Sequence, residues 1–350
     1  MDQIIRKIIE DGVKAPSGEN CQPWRFVWQN NKLEIYNLPE ADQSLYNFNQ
    51  KGSLVAHGAL IENIVISAAQ NGYQAEVEVA PNRQTNLVST LTFEAGEQSA
   101  DKLYSWIDQR GTNRKDYSGE KLSAEQKAEL FNMPKQTGLG ELKLIDQVEL
   151  LQALGQSLAI NEEVLFENKE LHRFFYDHIL WKEEEQDKAG GFYIKTLEFL
   201  PHQLKGVKLF RSWFILKVLN KLAGASKMIV KENAEKYAKS GTIGVIVAKG
   251  NSDADWVNAG RTFERVWLTA TKLGLSLHPC TGVLYFMERI KGGDKSAFSP
   301  HHLKLIEEAY RNILKVFGAE GRAIPMMFRL GFAEPPSARS RRMPPRIEAK

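Results

Sequence analysis

The sequence predicts an α+β protein built from two tandem, degenerate units, each with a mostly antiparallel central sheet. Three observations predict this class. Amphipathic helical patterns alternate with short strand-like runs along the 350 residues. The first two strand-like runs are separated only by the turn Asn30-Asn31-Lys32, which suits a hairpin. One helical pattern also recurs at a constant offset of 202 residues.

The individual elements follow from hydrophobic periodicity and from turn residues. The first helix carries Ile4, Ile5, Ile8 and Ile9 at helical spacing and ends near Gly12. Helices are predicted over 2–13, 53–71, from about Gln98 into 108–117, 123–131, most of 147–239, 255–273 and 302–316. Strands are predicted over 25–29, 33–38, 87–93, 138–145, 242–248 and 326–332. Residues 187–206 contain turn signals and aromatics without a clean period, and we interpret them as a lid.

The recurring helix indicates an internal duplication. Residues 57–73 align without gaps on residues 259–275, with identical residues at four of 17 positions. The identities pair Gly58 with Gly260, Glu62 with Glu264, Ala68 with Ala270 and Gly72 with Gly274. Unrelated amphipathic helices that end in glycine share part of this pattern, but each copy here also follows a strand. We therefore predict halves at 1–97 and 98–350, the second with an insertion at about 150–235.

Small residues in the first of these helices predict how the halves pack. The small side chains thin the helix, so that the helix at 255–273 can approach it closely. They are Ala56, Gly58, Ala59, Ala68 and Ala69.

Composition excludes several classes of function. Apolar residues make up 43% and charged residues 25%, as in an ordinary soluble protein. A net charge of +3 does not favour a nucleic-acid partner, and no uncharged apolar run reaches 18 residues, so no membrane span is expected. Cys21 and Cys280 are far apart and in no metal-ligand spacing, which favours a reducing compartment and no metal site. The N-terminus lacks a signal-peptide pattern, so a cytoplasmic location is expected.

The loop at 15–24, APSGENCQPW, is the first candidate site. It can present backbone amides, a hydroxyl and two side-chain amides to a flat heterocycle with donors and acceptors on its edge. An ordinary connection between a helix and a strand can have the same composition.

Two arginine clusters form the second candidate site. In Arg110-Gly111-Thr112-Asn113-Arg114, alternate positions carry guanidinium, hydroxyl and guanidinium groups, which suit capture of a phosphate. The run Arg339-Ser340-Arg341-Arg342 is a second basic cluster in a nearly neutral chain. A solvated charge run and a disordered basic tail are the alternative interpretations.

The turn at 274–282, GLSLHPCTG, is the third candidate site. It can expose backbone N–H groups to a ring nitrogen, or simply form a turn. Cys280 is a weak candidate nucleophile, because no acidic partner lies nearby in the sequence.

Taken together, these segments resemble the FMN-dependent nitroreductases, in particular the fused branch of dormancy-associated NAD(P)H nitroreductases. APSGENCQPWRF is similar to the family signature Pro-Ser-x-x-Asn-x-Gln-Pro-Trp. RGTNR is similar to its Arg-x-Ser-x-Arg phosphate motif, with threonine in place of serine. PCTG is similar to its ring-contacting loop, and SRRMPP is similar to its terminal basic motif. The resemblance covers nearly all of the chain outside about 150–235. It implies a nitroreductase-like fold in which the two units form an intramolecular pseudo-dimer.

The resemblance also implies one composite FMN site. In the family, the phosphate motif precedes the Pro-Ser loop within each subunit, and each flavin uses one motif from each subunit. Here no phosphate motif is expected before the first loop, and the chain after RGTNR reads KQTGLGELKL without a Pro-Ser loop. Each half thus keeps what the other lacks. The implied contacts are Pro16, Ser17, Gly18, Asn20 and Gln22 on the ring side, Arg110, Thr112, Arg114, Arg339, Arg341 and Arg342 toward the phosphate, and Thr281 and Gly282 near the ring N5.

The implied function is hydride transfer from NAD(P)H through FMN to a quinone, a nitroaromatic or another small acceptor. No side chain is required as an acid or a base. Two alternatives remain open: a flavin-sequestering or regulatory protein whose lid covers the ring, and a specialised flavin chemistry such as dehalogenation or flavin fragmentation. A small-molecule substrate is the partner expected.

Overall fold

The structure is a computed structural model that describes residues 1–96, 101–187 and 190–349. Its helices are α1 (Gln3–Gly12), α2 (Lys51–Gln70), α3 (Ala124–Thr137), α4 (Val148–Glu167), α5 (Lys169–Asp177), α6 (Pro201–Phe210), α7 (Trp213–Ala223), α8 (Ala225–Ala238), α9 (Asp253–Lys272), α10 (Gly282–Lys291) and α11 (Pro300–Phe317). Its strands are β1 (Trp24–Gln29), β2 (Lys32–Asn37), β3 (Tyr73–Asn82), β4 (Leu87–Ala95), β5 (Gly140–Ile145), β6 (Ile179–Leu180), β7 (Phe192–Tyr193), β8 (Thr242–Ala248), β9 (Ser276–Pro279), β10 (Met326–Gly331) and β11 (Ile347–Ala349). The predicted α+β class is confirmed.

The two main sheets have the same strand order. The first sheet is ordered β11-β1-β2-β4-β3 and the second β5-β8-β10-β9. Apart from β11, the orders match when β1 corresponds to β5, β2 to β8, β4 to β10 and β3 to β9. These neighbours are antiparallel, whereas β11 pairs parallel to β1. In each half the long helix, α2 or α9, follows the second of these strands, so both halves repeat one topology.

The second half differs from the first by its insertions. Helices α4 to α8 lie between β5 and β8, where the first half has only the hairpin turn at Asn30 and Asn31. Helices α10 and α11 lie between β9 and β10, where the first half has a second hairpin. The mainly helical character predicted for 147–239 is confirmed. The predicted boundary at 97/98 falls at residues outside those described and stays a prediction.

Helices α2 and α9 pack against each other through a reciprocal glycine contact. A Cβ atom on Gly58 would overlap the carbonyl oxygen of Val257, and one on Gly260 would overlap the carbonyl oxygen of Val55. These two pairs are related by the same offset of 202 residues that defines the repeat. The interface is therefore self-complementary, as in a two-fold symmetric dimer. The close approach predicted from the small residues is confirmed, and glycine provides it.

Both central helices are buried in the core. The sequence of α2 is apolar over most of its length, and most of its residues are buried by other parts of the protein. It passes a length and hydropathy test for a membrane span, but 83% of that window is buried inside the fold. A long apolar helix with this burial is a core helix.

Several elements differ from the sequence prediction. The helix predicted from about Gln98 is wrong over the described residues 101–117, which hold a 3₁₀ turn at Tyr104–Trp106, turns on either side of it through residue 109, and then irregular and extended chain. Helix α3 continues through Pro134 to Thr137, so β5 starts two residues later than predicted. Strand β3 was not predicted, although its burial alternates residue by residue. The short elements β9, α10 and β11 were also not predicted.

Candidate functional site

A cavity of about 620 Å³ opens between the two halves. Helix α2 lines it with Gly52, Ala56 and Ala59, while α9 contributes Phe263 and Trp267. The insertion closes the other side with aromatic side chains. Ala56 and Ala59 therefore leave space for the cavity, whereas Gly58 allows the helices to touch. The volume is typical of a site for a small organic ligand.

Most of the residues predicted for the site line this one cavity. The structure brings together residues from the first loop, the two arginine clusters and the PCTG segment. They are Pro16, Ser17, Gly18, Asn20, Arg110, Thr112, Arg114, Thr281, Gly282, Arg339 and Arg342. Gln22 and Arg341 do not line it, and their contact with the cofactor stays a prediction.

The loop at 15–24 adopts a strained backbone. Glu19, Asn20 and Gln22 have positive φ angles of 46°, 59° and 49°, which non-glycine residues adopt uncommonly. The Gln22 backbone N–H donates to Ser17 Oγ at 3.0 Å, which closes the loop. The Gln22 side chain accepts at Oε1 from the Met343 backbone N–H at 2.9 Å. Gln22 therefore anchors the C-terminal segment and does not face the cavity.

The segment 110–114 runs as extended chain beside β9. Thr112 forms a parallel bridge with Leu277, and the Asn113 backbone N–H donates to the Leu277 carbonyl at 3.0 Å. In extended chain, alternate side chains share one side. Arg110, Thr112 and Arg114 accordingly all line the cavity, while Asn113 is 2% exposed and donates from Nδ2 to Ser276 Oγ at 2.8 Å. The predicted alternation of side chains is confirmed.

A buried ion pair ties the arginine motif to the interface between the halves. Arg110 Nε lies 3.1 Å from Glu264 Oε1, and the Glu264 side chain has no exposed surface. The Arg110 guanidinium also lies 4.5 Å from the Trp267 ring centroid and donates to the Lys14 carbonyl at 2.5 Å. Glu264 is the repeat counterpart of Glu62, which pairs with Arg261 and Arg265. Glu264 thus positions the cavity residue Arg110, whereas its counterpart Glu62 pairs with arginines of α9.

Arg342 adds a second, partly buried guanidinium beside Arg110. It donates to the carbonyls of Ala15 at 3.2 Å and Lys14 at 3.3 Å. Burial, with the charge of Arg110 as a further cause, lowers the Arg342 pKa to about 9. The charge of Glu264 acts in the opposite direction and raises the Arg342 pKa. The cluster therefore carries excess positive charge, which an anion would neutralise.

Arg341 faces away from this cluster. Its guanidinium forms ion pairs with Glu183 at 2.6 Å and with Asp187 at 2.8 Å, on the exposed side of the C-terminal segment. Its carbonyl oxygen accepts from Asn20 Nδ2 at 2.9 Å. Arg341 therefore connects the C-terminal segment to the insertion, whereas its neighbours Arg339 and Arg342 line the cavity.

Arg114 contacts the predicted lid. Its Nη1 donates to the Thr196 carbonyl at 2.9 Å, and its guanidinium lies 5.6 Å from the Phe192 ring centroid. Glu198 accepts from the Ser337 backbone N–H at 2.6 Å and from its hydroxyl at 2.7 Å. Phe192, Thr196 and Glu198 all line the cavity. Residues of the predicted lid therefore line the cavity and are held by the arginine motif and the C-terminal segment; positions 188 and 189 of that segment lie outside the described residues.

Thr281 and Gly282 form the start of helix α10. Thr281 is its N-cap residue, so backbone N–H groups of the first turn lie at the cavity wall. A Cβ atom on Gly282 would overlap the side-chain oxygen of Asn161, which explains why glycine stands there. Burial raises the Cys280 pKa to about 12, so this thiol is not an activated nucleophile.

Sequence reasoning missed the acidic residues of the cavity. Glu19, Asp42 and Glu162 line it, and burial raises the pKa of each carboxyl group. Glu162 and its partner Tyr237 belong to helices α4 and α8 of the insertion. Neither lies in a recognisable motif, and helical periodicity alone does not show which polar residue of an insertion turns inward.

Comparison with known proteins gives distant relatives. An uncharacterized protein of Mycobacterium tuberculosis is 25% identical over 340 residues, which are 96% of this chain and 46% of that protein. Another M. tuberculosis protein, provisionally named an NAD(P)H nitroreductase, is 25% identical over 119 residues, 33% of this chain and 35% of its own length. The chain is similar to nitroreductases. It spans less than half the length of these relatives, and no family model matches it.

Among solved structures, one similar chain is the FMN-dependent nitroreductase NfnB of Mycobacterium smegmatis, in complex with NADPH. It is 12% identical, with 65% of this chain and 86% of that chain aligned at a TM-score of 0.36.

Proposed function

We propose that this chain binds one FMN in the cavity between its halves and acts as an oxidoreductase that passes a hydride from NAD(P)H to a quinone, a nitroaromatic or a similar small acceptor. One observation carries the proposal. Four sequence segments, each similar to a nitroreductase motif and drawn from both halves, line the same cavity. We further propose that the two halves act as an intramolecular pseudo-dimer with a composite site.

The donor set of the cavity fits the proposed cofactor. Arg110, Arg342 and the Thr112 hydroxyl supply a cationic, hydrogen-bonding end suited to a phosphate. An anion there would offset the burial and the charge of Arg110, which together lower the Arg342 pKa. The small residues Ala56 and Ala59 leave room for a flat ring system beside the loop at 16–20. The volume and the charge distribution therefore both suit a phosphorylated aromatic cofactor.

The protein would bind and orient this cofactor. FMN, when bound, supplies the two-electron chemistry. The loop residues Pro16, Ser17 and Gly18 would hold the ring from one half, and Thr281 and Gly282 from the other. The N-terminal turn of α10 would stabilise negative charge on the ring through its free N–H groups.

Flavin stoichiometry tests the proposal directly. The protein, reconstituted with excess FMN and then desalted, is expected to retain one FMN per chain, measured by absorbance against protein concentration. It is also expected to oxidise NADH or NADPH when a quinone or nitroaromatic is present. Two flavins per chain would contradict the composite site, and the absence of retained flavin would refute the proposal.

A second candidate function is a flavin-binding protein in which the lid excludes nicotinamide. The observation that favours it is the contact of Arg114 with Phe192 and Thr196, together with the two hydrogen bonds from Ser337 to Glu198. These contacts hold an aromatic segment across the cavity.

Weakening the lid contacts separates the two functions. In Glu198→Ala, both hydrogen bonds from Ser337 are lost, so a lid that limits access should open more often. NAD(P)H oxidation by the FMN-loaded protein is then expected to rise, as measured by stopped-flow absorbance. The matched control is Glu184→Ala, an exposed glutamate of the insertion that does not line the cavity. An unchanged rate in Glu198→Ala would count against the sequestering function.

A further inference from the structure

Glu162 lines the cavity, and one of its carboxyl oxygens has no hydrogen-bond partner among the described residues. It lies on α4 of the insertion, the part of the chain outside the nitroreductase resemblance. Its Oε1 accepts from the Tyr237 hydroxyl at 2.8 Å and from Asn161 Nδ2 at 3.4 Å. Its Oε2 is buried, and no group of residues 1–96, 101–187 or 190–349 forms a hydrogen bond with it. A buried oxygen left without a partner is costly unless a ligand or a proton satisfies it.

The carboxyl group is held in a defined position. Asn161, the neighbour of Glu162 in the chain, accepts at Oδ1 from the Tyr46 hydroxyl at 3.0 Å and packs against Gly282 at the start of α10. Tyr237 reaches Glu162 from α8. Tyr237 on α8 and Asn161 on α4 therefore hold the Glu162 carboxyl group, and Asn161 connects it to Gly282. Gly282 belongs to the segment expected to lie near N5 of the flavin ring.

Glu162 can change its charge near neutral pH. Burial raises its pKa to about 7, while the hydrogen bonds from Tyr237 and Asn161 act in the opposite direction. Burial raises the pKa of Tyr46 and Tyr237 well above 10 and that of the Cys280 thiol to about 12. Burial, together with the charges of Arg329, Arg114 and Lys236, lowers the pKa of His278 well below 6.5. These neighbours keep one charge state over the physiological range.

Four other carboxyl groups in the described part of the chain line the cavity: Glu19, Asp42, Glu198 and Glu232. Burial raises the pKa of Glu19, with Asp42 adding to the effect and Arg114 opposing it, and burial also raises the pKa of Asp42. Glu19 is therefore an alternative proton source to Glu162.

We propose that Glu162 is the proton donor to the acceptor and that the acceptor is a quinone seated against the aromatic side of the insertion. The proposal rests on the proposed function, which supplies the hydride. A protonated Oε2 donates a hydrogen bond to a quinone carbonyl, and an ionised Oε2 accepts one from a hydroquinone hydroxyl. The same group is therefore complementary to the substrate before the reaction and to the product after it.

The step balances in atoms and charge. A hydride adds to one carbonyl oxygen of the quinone, so the ring gains two electrons and the second oxygen becomes a phenolate. The O–H bond of Glu162 breaks and its proton passes to that oxygen, which gives the neutral hydroquinone. Glu162 remains as a carboxylate that accepts from Tyr237, and it regains a proton from water after the product leaves.

The test measures quinone binding to the oxidised, FMN-loaded protein without NAD(P)H, so that no turnover occurs. A 1,4-naphthoquinone is titrated by calorimetry from pH 5 to pH 9. Since only the acid form donates to the carbonyl, affinity is expected to fall about tenfold between pH 6 and pH 8. In Glu162→Gln the amide still donates, so binding is expected to stay tight and lose its pH dependence, while kcat falls roughly 100-fold or more. Tyr237→Phe removes a hydrogen bond that stabilises the carboxylate, so the transition is expected to move to higher pH.

Matched variants complete the test. Glu163→Gln changes the next residue, which contacts His301 and does not line the cavity, and it should leave the transition in place. If Glu19→Gln abolishes the transition and Glu162→Gln does not, the assignment to Glu162 is overturned. A pH-independent affinity in the unmodified protein, with flavin bound and quinone reduced, would also overturn it while leaving the proposed function intact. Absence of bound flavin would refute the proposed function, and with it this assignment.

Discussion

Replacing Gly260 with alanine is expected to lower the free energy of unfolding by about 3 kcal/mol. A Cβ atom there would overlap the Val55 carbonyl oxygen, and a backbone atom cannot move aside as a flexible side chain can. Helix propensity acts the other way, because alanine in a helix interior is favoured over glycine by about 1 kcal/mol. A net loss of stability, measured by urea unfolding, therefore reports the contact between α2 and α9.

The repeat supplies two further variants for this experiment. Gly58→Ala is expected to have a similar cost, because the contact with Val257 is the symmetric one. The double variant should cost less than the sum, since both methyl groups separate the same two helices. Gly206→Ala is the control: its Cβ would meet only Phe210 at 3.9 Å, so stability should be unchanged or slightly higher. Equal unfolding curves for Gly260→Ala and the unmodified protein would contradict the close packing.

Replacing Arg342 with alanine is expected to weaken FMN binding roughly 10- to 150-fold, which corresponds to about 1.5–3 kcal/mol for a charge-assisted hydrogen bond. Arg342 is a better choice than Arg110, because removing Arg110 would leave Glu264 buried without its partner. The affinity is measured by quenching of flavin fluorescence.

Two controls make this result specific. Riboflavin lacks the phosphate, so its affinity should be nearly the same in both proteins; an equal loss for riboflavin would show that the loop near Ala15 was disturbed instead. Arg341→Ala removes the adjacent arginine, whose guanidinium pairs with Glu183 and Asp187, and it should leave FMN affinity unchanged. If Arg341→Ala weakened binding as much as Arg342→Ala, the assignment of the phosphate end would be wrong.

The sequence by itself determined most of the regular elements. The run TIGVIVA at 242–248 was predicted with the same bounds as β8, because a short apolar run between turn residues favours a buried strand. Helices α2 and α9 were predicted to within two residues at each end, since long apolar patterns ending in glycine are strong signals. The offset of 202 residues correctly paired Gly58 with Gly260. The alternation of Arg110, Thr112 and Arg114 also followed from spacing alone.

Other features depended on long-range contacts. Neighbouring positions in an irregular segment carry no periodicity, so the sequence could not separate Arg341 from Arg342. The helix predicted near residue 98 fails over 101–117 because the chain there lies beside β9, and Thr112 bonds to a residue more than 160 positions away. Strand β11 forms because β1 offers it an unpaired edge, and a three-residue strand has no signal of its own.

The acidic side of the cavity was decided only by the tertiary structure. Helix α4 carries several glutamates, and the sequence does not show which of them faces the cavity. The packing of α4 against α8 and α10 places Glu162 there. Burial then raises its pKa, a property that depends on the surrounding protein and not on the local sequence. Periodicity and motif spacing thus determined the elements and the phosphate-binding pattern, whereas the enclosure of the cavity determined which charges face its interior.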